Sequence, residues 1–212
     1  MRTFLIAGLA AGALCALGSC ASMSKEECLA GDWTGRGYAD GSAGATPSRL
    51  GEHADACAKH GVVPDDAAYR GGWSQGVLVY CTPERGFAEG REGNSYGGVC
   101  PADLEARFVP AWEDGRVVHA AESAVESARS TVDSHGSRLE DLDDKVEAKQ
   151  RELRAEGLTD EQRDAIRNRI REIRQERENE ERDWRRAQDA LDEAEREERA
   201  VRRRFERIYG GW

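Results

Sequence analysis

The sequence predicts an all-α protein, in which a small disulfide-stapled helical Gly-rich domain is followed by a long antiparallel coiled-coil hairpin. Of 23 glycines and five prolines, 16 glycines and all the prolines fall within residues 20–116, whereas residues 117–212 carry 47 charged side chains and neither Cys nor Pro. Helix boundary signals recur along the first segment, and no alternating β-branched run predicts a strand. Apolar residues at heptad spacing in the second segment predict a coiled coil.

A secretory signal peptide is predicted for residues 1–19. A positively charged start precedes an apolar run over 4–17, which is shorter than the roughly 20 residues of a membrane-spanning helix. The run ends in Leu17-Gly18-Ser19-Cys20, which resembles a bacterial lipobox, so Cys20 is the predicted lipidation site. The alternative is an ordinary signal peptide, cleaved near Ala16 or Ser19, that leaves Cys20 as a free thiol.

The lipobox resemblance implies a bacterial envelope protein held by the membrane through N-terminal acyl chains. Two or three such chains anchor a protein far more firmly than one does. Because Ala21 rather than Asp follows Cys20, the sorting pattern favours the periplasmic face of the outer membrane. We expect residues 20–27 to form a lipidated tether.

One pattern recurs four times between residues 28 and 116, the predicted Gly/Cys-rich domain: a small residue, an aromatic, any residue, an acid or Gln, and Gly. Its copies are Gly37-Tyr38-Ala39-Asp40-Gly41, Gly72-Trp73-Ser74-Gln75-Gly76, Gly86-Phe87-Ala88-Glu89-Gly90 and Ala111-Trp112-Glu113-Asp114-Gly115. On a helix the two small residues share one face, where another backbone can approach closely. The candidate ligand or packing surface therefore comprises His53, Tyr38, Trp73, Phe87 and Trp112, and we favour packing.

Boundary signals predict four helices in this domain, over about 33–43, 49–60, 65–80 and 83–90. Each begins at a typical capping or first-turn residue: Asp32, Ser48, Pro64 or Asp65, and Pro83. Gly61 ends the second helix. Residues 91–101 are predicted to form a loop.

Four cysteines remain after Cys15 leaves with the signal peptide and Cys20 takes lipid. They are Cys28, Cys57, Cys81 and Cys100, an even set suited to an oxidising compartment. Their wide spacing argues against a structural zinc site, which normally uses close Cys pairs. Three disulfide connectivities are open, and we prefer Cys28–Cys57 with Cys81–Cys100 because both close local loops.

A fixed order of Cys, Gly and aromatic residues runs through this domain: Asp32-Trp33, Gly37, Asp40-Gly41, Gly44, His53, Cys57, Gly61, Pro64-Asp65, Tyr69, Gly76, Tyr80-Cys81-Thr82-Pro83, Gly86, Gly90, Gly93, Tyr96 and Val99-Cys100-Pro101. The order resembles an uncharacterised domain family of proteobacterial envelope lipoproteins. The resemblance covers about residues 28–116. It implies a lipid anchor and assigns no activity.

An envelope enzyme in the Gly/Cys-rich domain is the alternative function. His53, Cys57 and His60 lie at helical spacing, which with a free thiolate would suit metal binding or nucleophilic chemistry. A disulfide at Cys57 removes both, and Asp65 with Asp66 is more simply a pair of helix-starting acids than a general acid and base. No common hydrolase, metalloprotease or nucleotide-binding motif occurs. We therefore assign no catalytic residue, no metal ligand and no cofactor.

An antiparallel helical hairpin is predicted for residues 117–209. The seam of its first helix is Val118, Ala121, Val125, Ala128, Val132, His135, Leu139, Leu142, Val146, Lys149 and Leu153, and that of its second helix is Ile166, Ile170, Ile173, Arg177, Glu180, Trp184, Ala187, Leu191, Ala194, Glu198, Val201, Phe205 and Ile208. Gly157 ends the first helix, and Thr159 with Gln162 forms a capping box that begins the second. So short a turn makes the helices antiparallel. The charge composition by itself would also be typical of a single solvated helix, which is the alternative.

Two features of the hairpin have alternative explanations. His135 is expected to face Glu180 or Glu181, either in a register-fixing polar layer, which we favour, or in a pH-sensitive hinge. Constant register places Val201, Phe205 and Ile208 opposite residues 115, 111 and 108, so the chain end should dock on the Gly/Cys-rich domain. Arginines crowd this end, where they interact with the helix dipole or with anionic lipid: Arg199, Arg202, Arg203, Arg204 and Arg207.

The formal net charge of −10 excludes a nucleic-acid binder that works by bulk positive charge. We expect a lipid-anchored envelope lipoprotein with a structural or protein-interaction role. The first hairpin helix, of roughly 38 residues, would span about 57 Å as a spacer or binding arm. Its expected partners are the membrane, through the lipid, and a protein, through the coiled coil.

Overall fold

The computed structural model describes residues 22–211, and seven α-helices form this part of the chain. They are α1 (Lys25–Ala30), α2 (Trp33–Ser42), α3 (Arg49–Ala58), α4 (Asp66–Tyr80), α5 (Pro83–Arg91), α6 (Ala102–Leu153) and α7 (Asp160–Tyr209). No strand occurs within the described range, and the predicted all-α fold class is confirmed. The predicted signal peptide and Cys20 lie outside the described residues. No helix within 22–211 has the length and apolar character needed to cross a bilayer.

The chain divides into two compact units, with unit 1 ending at Tyr80 and unit 2 beginning at Cys81. This division lies inside the segment 28–116 that was predicted as one domain. The predicted boundary between residues 116 and 117 lies within α6, which is one helix of 52 residues and includes Pro110 in its interior. The first hairpin helix is therefore longer than predicted, because it begins as a packing partner of α5.

In unit 1, α2 and α4 pack backbone against backbone through glycines. A Cβ at Gly37 would overlap the carbonyl oxygen of Tyr69, and a Cβ at Gly41 would overlap that of Trp73. Conversely, Gly72 and Gly76 of α4 face carbonyl oxygens of α2. The small-residue pattern thus serves the close helix packing that we favoured from the sequence.

Residues 22–27 are part of the fold of unit 1, which corrects the predicted tether over 20–27. Met23 is only 5% exposed and packs in a core with Cys28, Trp33 and Tyr69. The Ser24 side chain begins α1 with a complete capping box. An apolar side chain and a capping residue therefore hold this segment against the domain.

Two disulfides are present, and both close local loops. Cys28 is bonded to Cys57 in unit 1, and Cys81 is bonded to Cys100 in unit 2. These are the pairs preferred from the sequence. Ser48, however, makes no side-chain capping bond to α3. Its backbone is helical, with φ −64° and ψ −17°, rather than extended as in a typical N-cap residue.

In unit 2, α5 and the beginning of α6 repeat the arrangement of α2 and α4. A Cβ at Gly90 would overlap the carbonyl oxygen of Trp112, and one at Gly115 would overlap that of Phe87. The indole N–H of Trp112 donates to the carbonyl oxygen of Asn94 at 2.9 Å. In unit 1 the indole N–H of Trp73 donates in the same way to the carbonyl oxygen of Ala45, at 2.7 Å.

The turns that follow α2 and α5 are also alike. The backbone N–H of Ala45 donates to the backbone carbonyl oxygen of Asp40 at 2.9 Å, and that of Asn94 donates to the backbone carbonyl oxygen of Glu89 at 3.0 Å. A glycine with positive φ precedes each of these donors, at Gly44 and at Gly93. The two helix pairs are therefore internal repeats, in which residues of α2 correspond to those 49 positions later and residues of α4 to those 39 positions later.

The hairpin of α6 and α7 follows the predicted seam. Seam residues are among its most buried side chains: Leu142, Ile166, Ile170, Ile173 and Ala187. Thr159 and Gln162 form the predicted capping box. In the polar layer, Nδ1 of His135 lies 2.5 Å from Oε1 of Glu180, a contact that both the register-fixing layer and the pH-sensitive hinge require.

The end of α7 departs from the predicted register. Ile208 is 61% exposed, whereas Phe205 is fully buried and the Tyr209 hydroxyl donates to Asp114 at 2.9 Å. Tyr209 therefore lies two turns away from the position that constant pairing would give. The reason is that the end of α7 packs against α5 as well as α6, a contact that a two-helix register does not include.

Candidate functional site

A buried polar network joins three helices of unit 1. Nε2 of His53, on α3, donates to Oδ2 of Asp40, on α2, at 2.6 Å. The hydroxyl of Tyr69, on α4, donates to the same oxygen at 2.8 Å. His53 and Tyr69 are fully buried, and Asp40 is 6% exposed. The network thus gives every buried polar group in it a partner, as burial requires.

The same network contacts the first described residue of the chain. Nδ1 of His53 lies 2.9 Å from the Ser22 hydroxyl, and the guanidinium of Arg36 donates to the Ser22 carbonyl at 3.4 Å. Arg36 also pairs with Glu27 at 2.8 Å. Residue 22 is therefore held directly by α2 and α3.

The electrostatics of the network keep Tyr69 protonated. Burial, followed by the hydrogen bond to Asp40, raises the pKa of Tyr69 well above its ordinary value. Oδ1 of Asp40 lies 3.6 Å from the partly exposed guanidinium of Arg49. Both carboxylate oxygens of Asp40 are therefore occupied by neighbouring side chains.

Ser22, His53 and Asp40 follow the hydroxyl–imidazole–carboxylate order of a hydrolase triad, but the surroundings favour a structural role. The His53 ring has no solvent exposure. A depression of about 260 Å³ beside Glu27 and Arg36 is lined by neither His53 nor Ser22. A nucleophile must also reach a substrate, so what this arrangement does is bind the helices to one another.

The sequence-predicted metal alternative is not assembled. Cys57 is in a disulfide, and His60 is exposed while His53 is buried. Across residues 22–211, no three His, Cys, Asp or Glu side chains are grouped so that they could hold a metal ion.

The candidate surface residues of the sequence fall on separate helix pairs. Tyr38 is 45% exposed and Trp73 half-buried in unit 1, whereas Phe87 is buried and Trp112 half-buried in unit 2. His53 lies in the interior. Each of the four aromatic residues therefore lies beside a glycine contact of its own helix pair.

Residues 32–117 match the family model described as Protein of unknown function (DUF2799). The match covers 86 of the 212 residues. The predicted resemblance to an uncharacterised domain family is thereby confirmed. No curated protein and no solved structure matches the chain.

The DUF2799 segment contains both helix pairs of the internal repeat. It begins at Asp32, the N-cap of α2, and ends within α6. Asp40, His53 and Tyr69 lie inside it, whereas Ser22 lies before it. The family pattern therefore coincides with the glycine contacts and the buried network rather than with the hairpin.

A cavity in unit 2 was not predicted from the sequence. It has a volume of about 470 Å³ and is lined by Glu84, Phe87, Ala88, Arg91, Glu92, Glu122 and Tyr209. Burial, followed by the bond to Asp114, raises the pKa of Tyr209 to about 12. Arg91 donates to Glu122 at 3.1 Å. The sequence indicated only that the end of α7 would dock on the Gly/Cys-rich domain. The predicted register placed Ile208 rather than Tyr209 at this contact, so the lining residues could not be named from the sequence.

The sequence singled out His53 but not its partners. A buried histidine requires hydrogen-bonding partners, yet those partners come from two helices whose packing depends on glycines far apart in the sequence. Asp40 and Tyr69 were visible only as parts of motifs.

Proposed function

We propose that this chain is a lipid-anchored bacterial envelope lipoprotein with a structural or protein-interaction role. In this proposal Cys20 carries the lipid, unit 1 lies at the membrane surface, and the α6–α7 hairpin is a spacer or a partner-binding arm. The observation that carries the proposal is the hairpin itself, two paired helices of 52 and 50 residues with charged outer faces.

The hairpin has the properties of a solvated rod. From residue 117 to residue 153, α6 extends about 55 Å at 1.5 Å per residue. Ion pairs between residues one turn apart lie on the exposed faces of both helices. Lys145 pairs with Asp141 on α6 at 2.5 Å, and Arg169 pairs with Glu172 on α7 at 2.9 Å. Between the helices, Arg177 pairs with Asp143 at 2.6 Å. Such a surface suits extension through water and recognition of a polar partner.

The packing of residues 22 and 23 supports a short connection to the lipid. Ser22 follows Cys20 by two positions in the sequence, and an extended chain spans at most about 3.5 Å per residue. A lipid on Cys20 would therefore keep Ser22, which is part of unit 1, within about 7 Å of the acylated residue. The enzyme alternative gains no comparable support, since the His53 and Asp40 side chains of the triad-like group are buried.

The anchor is tested by metabolic labelling with a radioactive fatty acid. The Cys20→Ala variant should lose the label and leave the membrane fraction, whereas Cys15→Ala should keep both. Label retained by Cys20→Ala would exclude lipidation at this residue.

The two roles of the hairpin are separated by shortening both helices by two heptads, which removes about 21 Å of rod. A spacer loses function in proportion to length and tolerates exchange of its surface charges. A binding arm is instead sensitive to charge reversal at exposed positions such as Asp144 and Glu126. Full activity of both kinds of variant in cells would contradict the proposed role of the hairpin.

A further inference from the structure

In unit 2, the end of α7 covers one face of the α5–α6 helix pair. Phe205 packs with Phe87, Ala111 and Val118, and Val201 and Tyr209 lie against the same cluster. Val201, Phe205 and Tyr209 are spaced four residues apart, so one stripe of α7 provides the cover.

The internal repeat identifies the equivalent face in unit 1. The correspondence of Gly41 with Gly90 and of Gly76 with Gly115 is set by their matching carbonyl contacts. The same offsets pair members of the covered face with members of unit 1: Phe87 with Tyr38, Ala111 with Gly72, Asp114 with Gln75, and Val118 with Val79.

In unit 1 this face is exposed. Tyr38 is 45% exposed and Val79 is 55% exposed, although their counterparts Phe87 and Val118 are buried. Gln75 and the neighbouring Leu78 are exposed as well. Two large aliphatic side chains and an aromatic ring thus remain in contact with water where unit 2 has a third helix.

A groove lies in this face. It measures about 560 Å³, and small residues from α2 and α4 form much of its lining, including Gly35, Ala68 and Gly71. A Cβ built at Gly71 meets no atom within 4 Å, so this glycine is not needed for packing inside unit 1. Small residues let the backbone of an incoming helix approach closely.

We propose that this face of unit 1 binds an amphipathic helix of a partner protein. The helix presents aromatic or large aliphatic residues at i, i+4 and i+8, as Val201, Phe205 and Tyr209 do in unit 2. No lining residue of the groove is charged, and Gln75 stands where unit 2 has Asp114. The face therefore selects a partner helix whose inward stripe is uncharged.

The groove fits a protein helix better than lipid or the chain's own α7. Tyr38 is two residues from Arg36 on α2, about 200° around the helix, and Arg36 is the residue that contacts Ser22 near the proposed anchor. The face thus points away from the anchored side of α2. The end of α7 is already buried against α5 and α6. This site is separate from the hairpin and does not depend on its proposed role.

The test is site-specific photocrosslinking of the full chain in cells that naturally produce it. The probe is p-benzoylphenylalanine at Gln75, with the same probe at Val63, which is 85% exposed and outside the groove, as control. The expected result is an adduct at Gln75 alone, which mass spectrometry maps to a helix of another protein with apolar residues at i and i+4.

Two further substitutions test the face itself. Val79→Lys places a charge in it, and Gly71→Trp fills the groove from a position open to solvent. Each should reduce the Gln75 adduct by about tenfold or more, as loss of a central interface anchor does. Leu29→Lys, at an exposed residue of α1, should leave the adduct unchanged. Equal adducts at Gln75 and Val63, or an adduct that maps to lipid or to this chain, would overturn the proposal.

Discussion

The aromatic rings of Phe87 and Tyr209 stack with centroids 4.1 Å apart and planes 13° from parallel. Phe87 belongs to the glycine-packed α5, and Tyr209 is the last residue of α7. Their contact joins the end of the hairpin to the helix pair at its base within unit 2. Stability of that base should therefore depend on the chain end.

We expect Phe205→Ala to lower the free energy of unfolding by about 3–5 kcal/mol, because it leaves a cavity among Phe87, Ala111 and Val118. Ile208→Ala, three residues further on and exposed, should change it by less than about 0.5 kcal/mol. Guanidinium denaturation followed by circular dichroism measures both. Similar losses for the two variants would contradict the docking of α7 described here.

Alanine substitutions at two adjacent glycines of α4 should change the stability of the protein in opposite directions. Gly72→Ala places a Cβ onto the carbonyl oxygen of Thr34 and should destabilise the protein by about 1–3 kcal/mol. Gly71→Ala meets no atom within 4 Å, so the higher helix propensity of Ala should stabilise it by up to about 1 kcal/mol. Thermal melts of the two variants provide the measurement. A neutral Gly72→Ala would mean that α2 and α4 are not in backbone contact.

Removing Asp40 should be costly because it leaves His53 and Tyr69 buried without their shared acceptor. We expect Asp40→Ala to reduce the free energy of unfolding by about 2–5 kcal/mol. The control is Asp55→Ala, an exposed carboxylate on α3, which should be close to neutral. If urea denaturation gave the two variants equal midpoints, the network would contribute nothing to stability.

The contact of Tyr209 with Asp114 should be lost at high pH. The pKa of Tyr209 is raised from 10.0 to about 12, so the folded state favours the neutral phenol. The contribution of the neutral Tyr209 phenol to folding stability is complete below about pH 10, and it is lost as the pH rises through about 12. The loss of stability between about pH 9 and pH 11.5 should therefore be smaller in Tyr209→Phe than in the parent protein.

The exposed Tyr38→Phe is the matched control for this pH series. It should follow the parent protein at each pH, since Tyr38 donates no hydrogen bond to a carboxylate among the described residues. A Tyr209→Phe variant with the same pH dependence as Tyr38→Phe would show that the Tyr209–Asp114 bond does not form in solution.

Local signals alone determined much of this protein. The N-cap at Asp32, the capping box of Thr159 and Gln162, and the heptad seam each involve residues within one or a few turns. Their physical causes act between neighbours in the sequence, because orphan N–H groups and an apolar stripe exist before any helix meets another. The preference for local disulfides followed from loop length in the same way.

Only the tertiary structure decided which distant residues meet. Whether a glycine is needed, as at Gly72, or free, as at Gly71, depends on where the backbone of another helix passes. The burial of Met23, which turned the predicted tether into part of the fold, and the choice of Tyr209 over Ile208 likewise depend on surfaces that other helices provide. Sequence periodicity specifies which face of a helix is apolar, whereas the partner of that face is set by packing among segments far apart in the chain.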